Sequence, residues 1–203
     1  MQQTLKKVRK EFEKTGLLLL SDNELPSLVS LVTGESVKGS WWGHPQGNLI
    51  YNLSGELEDQ SDILVVKLIN KKVTFIHEMH WDALITIGSS ESEWQFKKMS
   101  TDAQHLFDLV QEKGTIETQN GNLKKTATEI GKIANKLEEK LLIYSESIHT
   151  DSGKHARILR TWKNLAKTKK HTPKKQSYQA AITQLEKAVA KLSNNKPAKL
   201  PWQ

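Results

Sequence analysis

The sequence predicts an α+β protein that is mainly helical, with a winged helix-turn-helix domain packed on an N-terminal α/β domain and a basic C-terminal helix. Residues 100–161 have the order helix, short strand, two helices, β-hairpin, which is typical of a winged helix. In the residues that precede position 100, short apolar segments alternate with segments of helical spacing. Near the C-terminus, a lysine-rich stretch is followed by Ser177–Leu192, in which the apolar residues have helical spacing. We therefore divide the chain into domains at 1–92, 93–165 and 166–203.

The N-terminal domain is predicted to contain helices and short strands that follow one another closely. Gly16 ends the first helix, Ser21-Asp22-Asn23 is a turn and a candidate N-cap, and Gly43 and Pro45 interrupt an extended piece. The predicted helices are Thr4–Thr15, a segment from Glu24 carrying Leu28, Leu31 and Val32, Asp59–Ile69 and His77–Ile87. The predicted extended segments are Gly16–Leu20, Val37–Trp42, Leu49–Leu53 and Val73–Ile76.

The second domain begins with stronger signals. Ser100-Thr101-Asp102 is predicted to cap a helix that ends at Gly114. The elements that follow are a strand at Thr115–Thr118, helices near Asn122–Ala127 and at Thr128–Lys140, and strands at Leu141–Glu146 and Ala156–Thr161 joined by the loop Ser147–His155. In a winged helix, the second helix of the pair enters the major groove and the hairpin loop touches the DNA backbone.

The distribution of charge indicates a polyanionic partner. The formal net charge is +7, yet the segment from Arg160 to the end holds eleven Lys or Arg residues and one acid, Glu186. A concentrated positive region attracts nucleic acid through counterion release, although it can also serve only as a solubilising tail.

The absence of cysteine excludes disulfides and thiolate chemistry and is compatible with a reducing cytoplasm. The apolar run Leu17–Leu20 is too short to span a bilayer, and no secretory signal is recognisable, so we expect a cytoplasmic protein without a membrane partner.

Side chains that stack and side chains that carry protons are concentrated between Gly39 and Asp82. This block holds three of the six tryptophans and three of the seven histidines. Such a cluster is typical either of a packed core with hydrogen-bonded histidines or of a binding or catalytic pocket. His77 and His80 have a spacing that differs from the i, i+4 pair of zinc peptidases, so we predict no metal and no cofactor.

Several stretches of the chain are similar to one family of enzymes. They are Gly16-Leu-Leu-Leu-Leu, Glu24-Leu-Pro-Ser-Leu-Val, Trp42, Lys67-Leu-Ile-Asn-Lys-Lys-Val-Thr-Phe and Ser100-Thr-Asp-Ala, followed by the winged helix. Over about residues 15–165 the chain resembles shorter relatives of the AlkZ/YcaQ-type winged-helix DNA glycosylases. That family stacks winged-helix units around a DNA channel and removes alkylated or crosslinked bases. Its Gln-apolar-Gln or Gln-apolar-Asp motif is not recognisable here, because Gln60-Ser61-Asp62 has a polar centre.

The resemblance and the residue pool together predict a DNA glycosylase that excises a modified base from double-stranded DNA and leaves an abasic site. The base is either alkylated, as in repair, or bulky, as in glucosylated phage DNA, which would make the enzyme an antiviral defence protein. Excision needs aromatic stacking of the flipped base and a carboxylate or proton carrier. The predicted catalytic residues are Glu78, His80, Asp82, His44 and Glu24, and the predicted substrate-binding residues are Trp41, Trp42, Asn48, Tyr51, Asn52, His77 and Trp81.

The predicted DNA-binding residues are the basic side chains of the winged helix and of the segment after it. They are Lys124, Lys125, Lys132, Lys136, Lys154, Arg157, Arg160, Lys163, Lys167, Lys169, Lys170, Lys174 and Lys175. We expect a monomer. Two other functions are compatible with the sequence: a non-enzymatic winged-helix DNA-binding regulator, and a metal-dependent RNA-binding or toxin-type nuclease for which the ligand set is thin.

Overall fold

A computed structural model describes residues 1–118, 126–149 and 155–203. The protein is of the mixed α+β class, as predicted, and it contains two small antiparallel sheets. The helices are α1 (Gln2–Glu13), α2 (Leu28–Thr33), α3 (Gly47–Glu58), α4 (Trp81–Gly88), α5 (Glu93–Phe96), α6 (Thr101–Lys113), α7 (Ala127–Glu139), α8 (Trp162–Thr168) and α9 (Tyr178–Ser193). The strands are β1 (Leu17–Leu19), β2 (Ile63–Lys67), β3 (Val73–His77), β4 (Thr115–Glu117), β5 (Tyr144–His149) and β6 (His155–Arg160).

The chain folds as two compact units. Unit 1 comprises Met1–Ala83, Gln179–Pro201 and Gln203, and unit 2 comprises Leu84–Tyr178 and Trp202. Unit 1 is therefore built from both ends of the sequence, and most of α9 belongs to it. The predicted three-domain division remains a prediction.

Unit 1 is organised around a sheet with the strand order β1-β3-β2, in which both pairs are antiparallel. All three leucines of β1 are buried, because this strand is covered on both faces. The helices α1, α2 and α3 contribute apolar stripes to the same core. Its buried members are Val8, Phe12, Leu18, Leu28, Val29, Trp41, Ile50, Leu53, Leu57, Ile63 and Phe75.

Two predictions in this unit are wrong: one predicted strand is a helix, and one predicted helix contains a strand. Leu49–Leu53, predicted as a strand, lies in α3, where Ile50, Leu53 and Leu57 are buried at helical spacing. Asp59–Ile69, predicted as a helix, contains β2, whose Ile63 and Leu64 are both buried. In β2, neighbouring apolar residues lie on opposite faces of the strand. The i, i+3 spacing of Ile63 and Val66 therefore did not indicate a helix.

Three boundaries also differ from the predictions. The helix predicted from Glu24 begins at Leu28, since the Ser27 side chain accepts from the Ser30 N–H as N-cap while Asp22 accepts from the N–H groups of Glu24 and Leu25 in the preceding turn. The helix predicted from His77 begins at Trp81, after a single 3-10 turn at Glu78–His80. A further 3-10 turn at Trp41–Gly43 replaces the end of the predicted extended segment Val37–Trp42.

Unit 2 contains the second sheet, with the strand order β4-β6-β5, and the helices α6 and α7. Ser100 caps α6 through the Ala103 N–H, and Gly114 ends it in the left-handed conformation, as the sequence predicts. The predicted helix near Asn122–Ala127 lies largely outside the described residues. The elements α6, β4, α7, β5 and β6 follow one another in the predicted order, and the winged-helix assignment itself remains a prediction.

The C-terminal amphipathic helix is confirmed as α9, and it is part of the unit 1 structure. Its apolar face, including Ala181, Ile182 and Leu185, is buried. The segment after α9 also belongs to unit 1: the Asn70 N–H donates to the Lys199 carbonyl, and the Lys199 N–H donates back to Asn70 Oδ1, each at 2.8 Å. In the part of the chain that the structure describes, no helix is long and apolar enough to cross a membrane.

Candidate functional site

Three aromatic side chains of unit 1 form a surface that we call the aromatic platform: Trp41, Trp42 and Tyr51. Trp41 is buried in the core, and Trp42 stacks on it with ring centroids 4.3 Å apart and an angle of 20° between the planes. Tyr51 lies beside Trp42 at 5.4 Å and 42°. Trp42 and Tyr51 are 62% and 53% exposed, so two of the three rings present area to solvent on a fixed base.

The turn before α3 holds this platform in place. Trp41 and Trp42 lie in the 3-10 turn, the His44 N–H donates to the Trp41 carbonyl, and the Gly47 N–H donates to the His44 carbonyl at 2.7 Å. A Cβ atom on Gly47 would lie 2.8 Å from the Trp42 carbonyl oxygen, inside van der Waals contact. Only glycine therefore allows the start of α3 to pack so closely against the two tryptophans.

Helical spacing places two amides next to the tyrosine of the platform. Asn48, Tyr51 and Asn52 are related by i, i+3 and i+4 on α3, and all three are exposed. His44 precedes the helix, and its Nδ1 accepts from the Gln46 N–H. Five of the predicted substrate-binding residues thus lie together near the start of α3: Trp41, Trp42, Asn48, Tyr51 and Asn52.

A second group of functional side chains lies where β2 begins and β3 ends, and we call it the Arg9–Asp62–His77 cluster. Arg9 of α1 donates to both carboxylate oxygens of Asp62, at 2.8 and 3.4 Å. His77 Nε2 lies 3.4 Å from Asp62 Oδ2, and its Nδ1 accepts from the Met79 N–H. The hydrogen bonds from Arg9 hold the pKa of Asp62 below its ordinary value, so this carboxylate stays ionised in mildly acidic solution.

Asp62 and Arg9 were not among the predicted site residues. Asp62 falls in the acidic stretch before β2, and Arg9 lies in an ordinary amphipathic helix. The two are 53 positions apart in the sequence, so no local spacing pattern could have paired them. Glu78 adjoins this cluster, because its N–H donates to the Asp62 carbonyl at 2.9 Å, and its side chain is exposed.

His80 lies in the interior of unit 1 with both ring nitrogens engaged. Its Nε2 is 2.7 Å from the Thr15 carbonyl oxygen, and its Nδ1 is 3.2 Å from the Gln184 amide nitrogen. A carbonyl only accepts, so Nε2 carries the proton and Nδ1 accepts from Gln184. Burial lowers the pKa of His80, and the neutral imidazole joins the α1–β1 turn to α9.

The next two predicted residues begin α4. Trp81 is buried, and its indole N–H donates to the Ile76 carbonyl at 3.3 Å. Asp82 is half-buried in the first turn of the helix, where the helix dipole stabilises a negative charge.

Glu24, the fifth predicted catalytic residue, lines a cavity of about 350 Å³. The cavity lies between the loop before α2 and the end of α9, and Lys196 Nζ donates to the Glu24 carbonyl at its edge. Its wall has both polar and apolar surface and consists of Asn23, Glu24, Leu25, Pro26, Ser30, Ser36, Leu192, Ser193, Asn194 and Lys196. The other four predicted catalytic residues are not part of this wall.

The predicted site residues of unit 1 are therefore distributed over several places. The aromatic platform lies at the start of α3, and Asp62 follows its end. The helix has 12 residues and is about 18 Å long at 1.5 Å per residue. Helix α3 thus separates the stacking side chains from the cluster around Asp62.

In unit 2, two of the predicted DNA-binding arginines form internal bonds. Arg157 pairs with Glu138, donates to Asn135 at 2.9 Å, and has a pKa that burial lowers. Arg160 contacts Thr115 and lies 3.5 Å from Glu146. These bonds join the hairpin of β5 and β6 to α7 and β4.

The predicted lysines of unit 2 are mostly on the surface. Lys169 is half-buried, and Lys132, Lys136, Lys163, Lys167, Lys170, Lys174 and Lys175 are exposed. Lys124, Lys125 and Lys154 lie outside the described residues. Among the side chains that the structure describes, no three His, Asp or Glu residues are grouped so that they could hold a metal ion.

The described part of the chain thus combines an aromatic platform on one unit with a set of exposed lysines on the other. A model of the family described as AlkZ related matches residues 3–200, which include nearly all of both units. The chain belongs to the AlkZ-related family. Membership suggests a DNA glycosylase-like or DNA-binding role. No curated protein and no solved structure matches the chain.

Proposed function

We propose that this protein is a DNA glycosylase that flips a modified base out of double-stranded DNA and hydrolyses its N-glycosidic bond. The observation that carries the proposal is the match to the AlkZ-related family, which extends over residues 3–200 and so involves both units. The base is alkylated or bulky, the latter including glucosylated bases of phage DNA. The enzyme then acts in base excision, either in repair or in antiviral defence.

Unit 2 is proposed to hold the DNA as a winged helix. In this arrangement α7 enters the major groove, and its exposed Lys132 and Lys136 contact phosphates. The lysines from Lys163 to Lys175 extend the positive surface beyond the winged helix. Their exposure supports this role, whereas Arg157 and Arg160 are proposed to support it indirectly by fixing the hairpin.

The cavity lined by Glu24 is the proposed location of the flipped nucleoside. A flipped base needs a concave space with polar groups for its edges. The open cavity of about 350 Å³ offers such a space, with asparagine and serine side chains in its wall. Bond cleavage sends the electron pair of the glycosidic bond to the base, which takes up a proton. Water forms the new bond to C1′ and gives its proton to a carboxylate, for which Glu24 is the proposed acceptor.

Glu78, beside the ionised Asp62, is the second proposed position for this carboxylate. His44 and Asp82 remain proposed proton carriers, since both are partly accessible. The geometry of His80 favours a structural function for that residue, because a substrate would have to displace Thr15 or Gln184 from its ring.

The alternative function is a non-enzymatic DNA-binding regulator. The distribution of the predicted catalytic residues over several places in unit 1 favours it, since a catalytic constellation requires mutual proximity. A regulator would protect one fixed sequence, whereas a glycosylase would act at modified bases in any sequence.

An abasic-site assay distinguishes the two functions. Plain, alkylated and glucosylated DNA are incubated with the protein, with and without EDTA, and then treated with alkali. We expect strand breaks only in one of the modified DNAs, with no effect of EDTA. Glu24→Gln should abolish the breaks, and the matched variant Glu35→Gln, an exposed residue outside the cavity wall, should not. Loss with Glu78→Gln in place of Glu24→Gln would move the carboxylate to the Asp62 region. If the protein bound DNA but no strand breaks appeared in any of the three DNAs, the proposed glycosylase activity would be refuted.

A further inference from the structure

We propose that the aromatic platform, with Asn48 and Asn52, is an open stacking site for an unpaired nucleobase of single-stranded or locally opened DNA. The inference depends on the proposed function only in taking DNA as the ligand. It assigns the platform a task distinct from the cavity at Glu24, namely holding a base that has left the helix stack without selecting its identity.

The first argument is the geometry of the rings. Trp41 covers one face of Trp42, so the 62% exposure of Trp42 comes from its remaining surface. Tyr51 adds a second exposed ring at 5.4 Å, tilted by 42°. A pocket that selects a damaged base encloses it on both sides, whereas an open aromatic surface accepts any base, because every base has a π face. The platform has the second arrangement.

The second argument is the charge of the surroundings. Between Glu35 and Glu56 the sequence contains no acidic residue, and Lys38 is the one Lys or Arg. Residues 36–55, which include every residue of the platform, therefore bring no carboxylate that would repel the phosphates on either side of a stacked base, and the first acid of α3 is Glu56, one turn after Asn52.

The third argument is the polarity of the rim. Asn48 and Asn52 are exposed on the same face of α3 as Tyr51, and each amide offers both donors and acceptors. Neutral amides beside aromatic rings suit the edge of a neutral heterocycle. A surface for another protein would be expected to continue as an apolar patch, whereas this face of α3 continues with Gly55 and Glu56.

The platform is also preformed. Trp42 is fixed by stacking on a core residue, and the Gly47 contact holds the backbone of the turn. A base that stacks on it therefore orders few side chains on binding, which preserves the stacking free energy.

The test measures the affinity of the full chain for labelled DNA by fluorescence anisotropy. The probes are an oligothymidylate of about 12 nucleotides, within the site sizes of such surfaces, a perfectly paired duplex, and a strand of equal charge made of abasic residues. Trp42→Ala should weaken binding of the oligothymidylate by about 5- to 150-fold, the range for loss of one base–aromatic contact. It should change the affinity for the duplex and for the abasic strand by less than about twofold, and Trp42→Phe should retain most binding.

Two controls separate the platform from general effects. Met79→Ala removes another half-exposed apolar side chain of unit 1 and should leave all affinities unchanged. Gly47→Ala should reduce binding of the oligothymidylate with all rings present, whereas Gly55→Ala in the same helix, where a Cβ meets nothing within 4 Å, should not. Thermal melting by circular dichroism confirms that each variant is folded.

Each outcome has one meaning. Equal weakening on the abasic strand would show that Trp42 acts on the backbone and would overturn the proposal, as would unchanged binding in both Trp42→Ala and Gly47→Ala. Displacement of the oligothymidylate by a free disaccharide would assign the platform to sugars and would also overturn it. Failure of the wild-type protein to bind any of the three probes would instead refute the DNA role of the whole chain.

Discussion

The buried histidine of unit 1 makes the stability of the protein depend on pH. His80 is 7% exposed, donates from Nε2 to the Thr15 carbonyl and accepts at Nδ1 from the Gln184 amide. Protonation would place a new hydrogen on Nδ1 opposite the amide hydrogens of Gln184. Burial already lowers the pKa of His80, and the nearby His77 lowers it further.

Stability should fall as the pH falls, because the pKa of His80 is lower in the folded chain than in the unfolded chain. Unfolded, His80 takes up its proton near pH 6.5, while in the folded chain it stays neutral to lower pH. The contribution to stability is therefore complete above about pH 6.5 and is lost as pH falls toward the folded pKa. Each pH unit in that interval is worth at most about 1.4 kcal/mol, so the loss between pH 7.5 and pH 5 is at most about 2 kcal/mol.

Urea unfolding followed by tryptophan fluorescence at several pH values between 7.5 and 5 measures this effect. His80→Gln should be less stable at pH 7.5 by about 1–3 kcal/mol, since buried hydrogen bonds are lost. Its stability should fall less with decreasing pH than that of the wild-type protein. The exposed His105 of α6 provides the matched control, and His105→Gln should follow the wild-type curve.

A second substitution reverses the effect. Gln184→Glu replaces an amide nitrogen that lies 3.2 Å from His80 Nδ1 by a carboxylate oxygen, so it should raise the pKa of His80 and protect the protein at low pH. Parallel stability curves for the wild-type protein, His80→Gln and Gln184→Glu would refute the reasoning, because they would show that His80 does not titrate differently on folding.

Three further predictions concern the backbone, the internal arginine and the lysine surface. Gly16→Ala should destabilise by about 1–3 kcal/mol more than Gly34→Ala in urea unfolding, because both have positive φ but only the Gly16 Cβ would collide with His80; equal losses would contradict this. Arg157→Ala should lower stability by about 3–5 kcal/mol, since it removes the cation that is paired with the buried Glu138, whereas Lys163→Ala should change it by less than about 0.5 kcal/mol; a small effect of Arg157→Ala would contradict this. Replacing four exposed lysines by glutamine should reduce the slope of log K against log salt for duplex DNA by up to about 3.6, and an unchanged slope would remove these residues from the DNA surface. The four are Lys167, Lys170, Lys174 and Lys175.

The sequence predicts the elements of this fold best where local signals agree. In α6 the serine cap, the apolar stripe and the terminal glycine all indicate the same bounds, and α9 has an unbroken helical period. In α3 two patterns compete, since Leu49, Tyr51 and Leu53 alternate while Ile50, Leu53 and Leu57 have helical spacing. Only the position of the core decides which pattern is buried, and that is a property of the tertiary structure.

The candidate site is less predictable than the fold, for the same physical reason. The neighbours Trp41 and Trp42 and the helical partners Asn48, Tyr51 and Asn52 come together because local geometry joins them. Asp62 meets Arg9, and His80 meets Gln184, through contacts across 53 and 104 positions of the chain. No spacing rule reaches across such distances, so sequence composition could define a pool of residues but not their partners.

The origin of unit 1 in both ends of the chain has a consequence for its synthesis. After Ala83 leaves the ribosome, about 95 residues must follow before Gln179 emerges. At 5–20 residues per second this takes roughly 5–20 s. Throughout that interval the nascent first half lacks the helix that supplies Gln184 to His80 and covers its apolar surface, while unit 2 is complete as soon as it emerges, apart from Trp202. A chain truncated before α9 would thus contain all of unit 2 except Trp202 and only part of unit 1, and proteases can recognise and remove such an incomplete product.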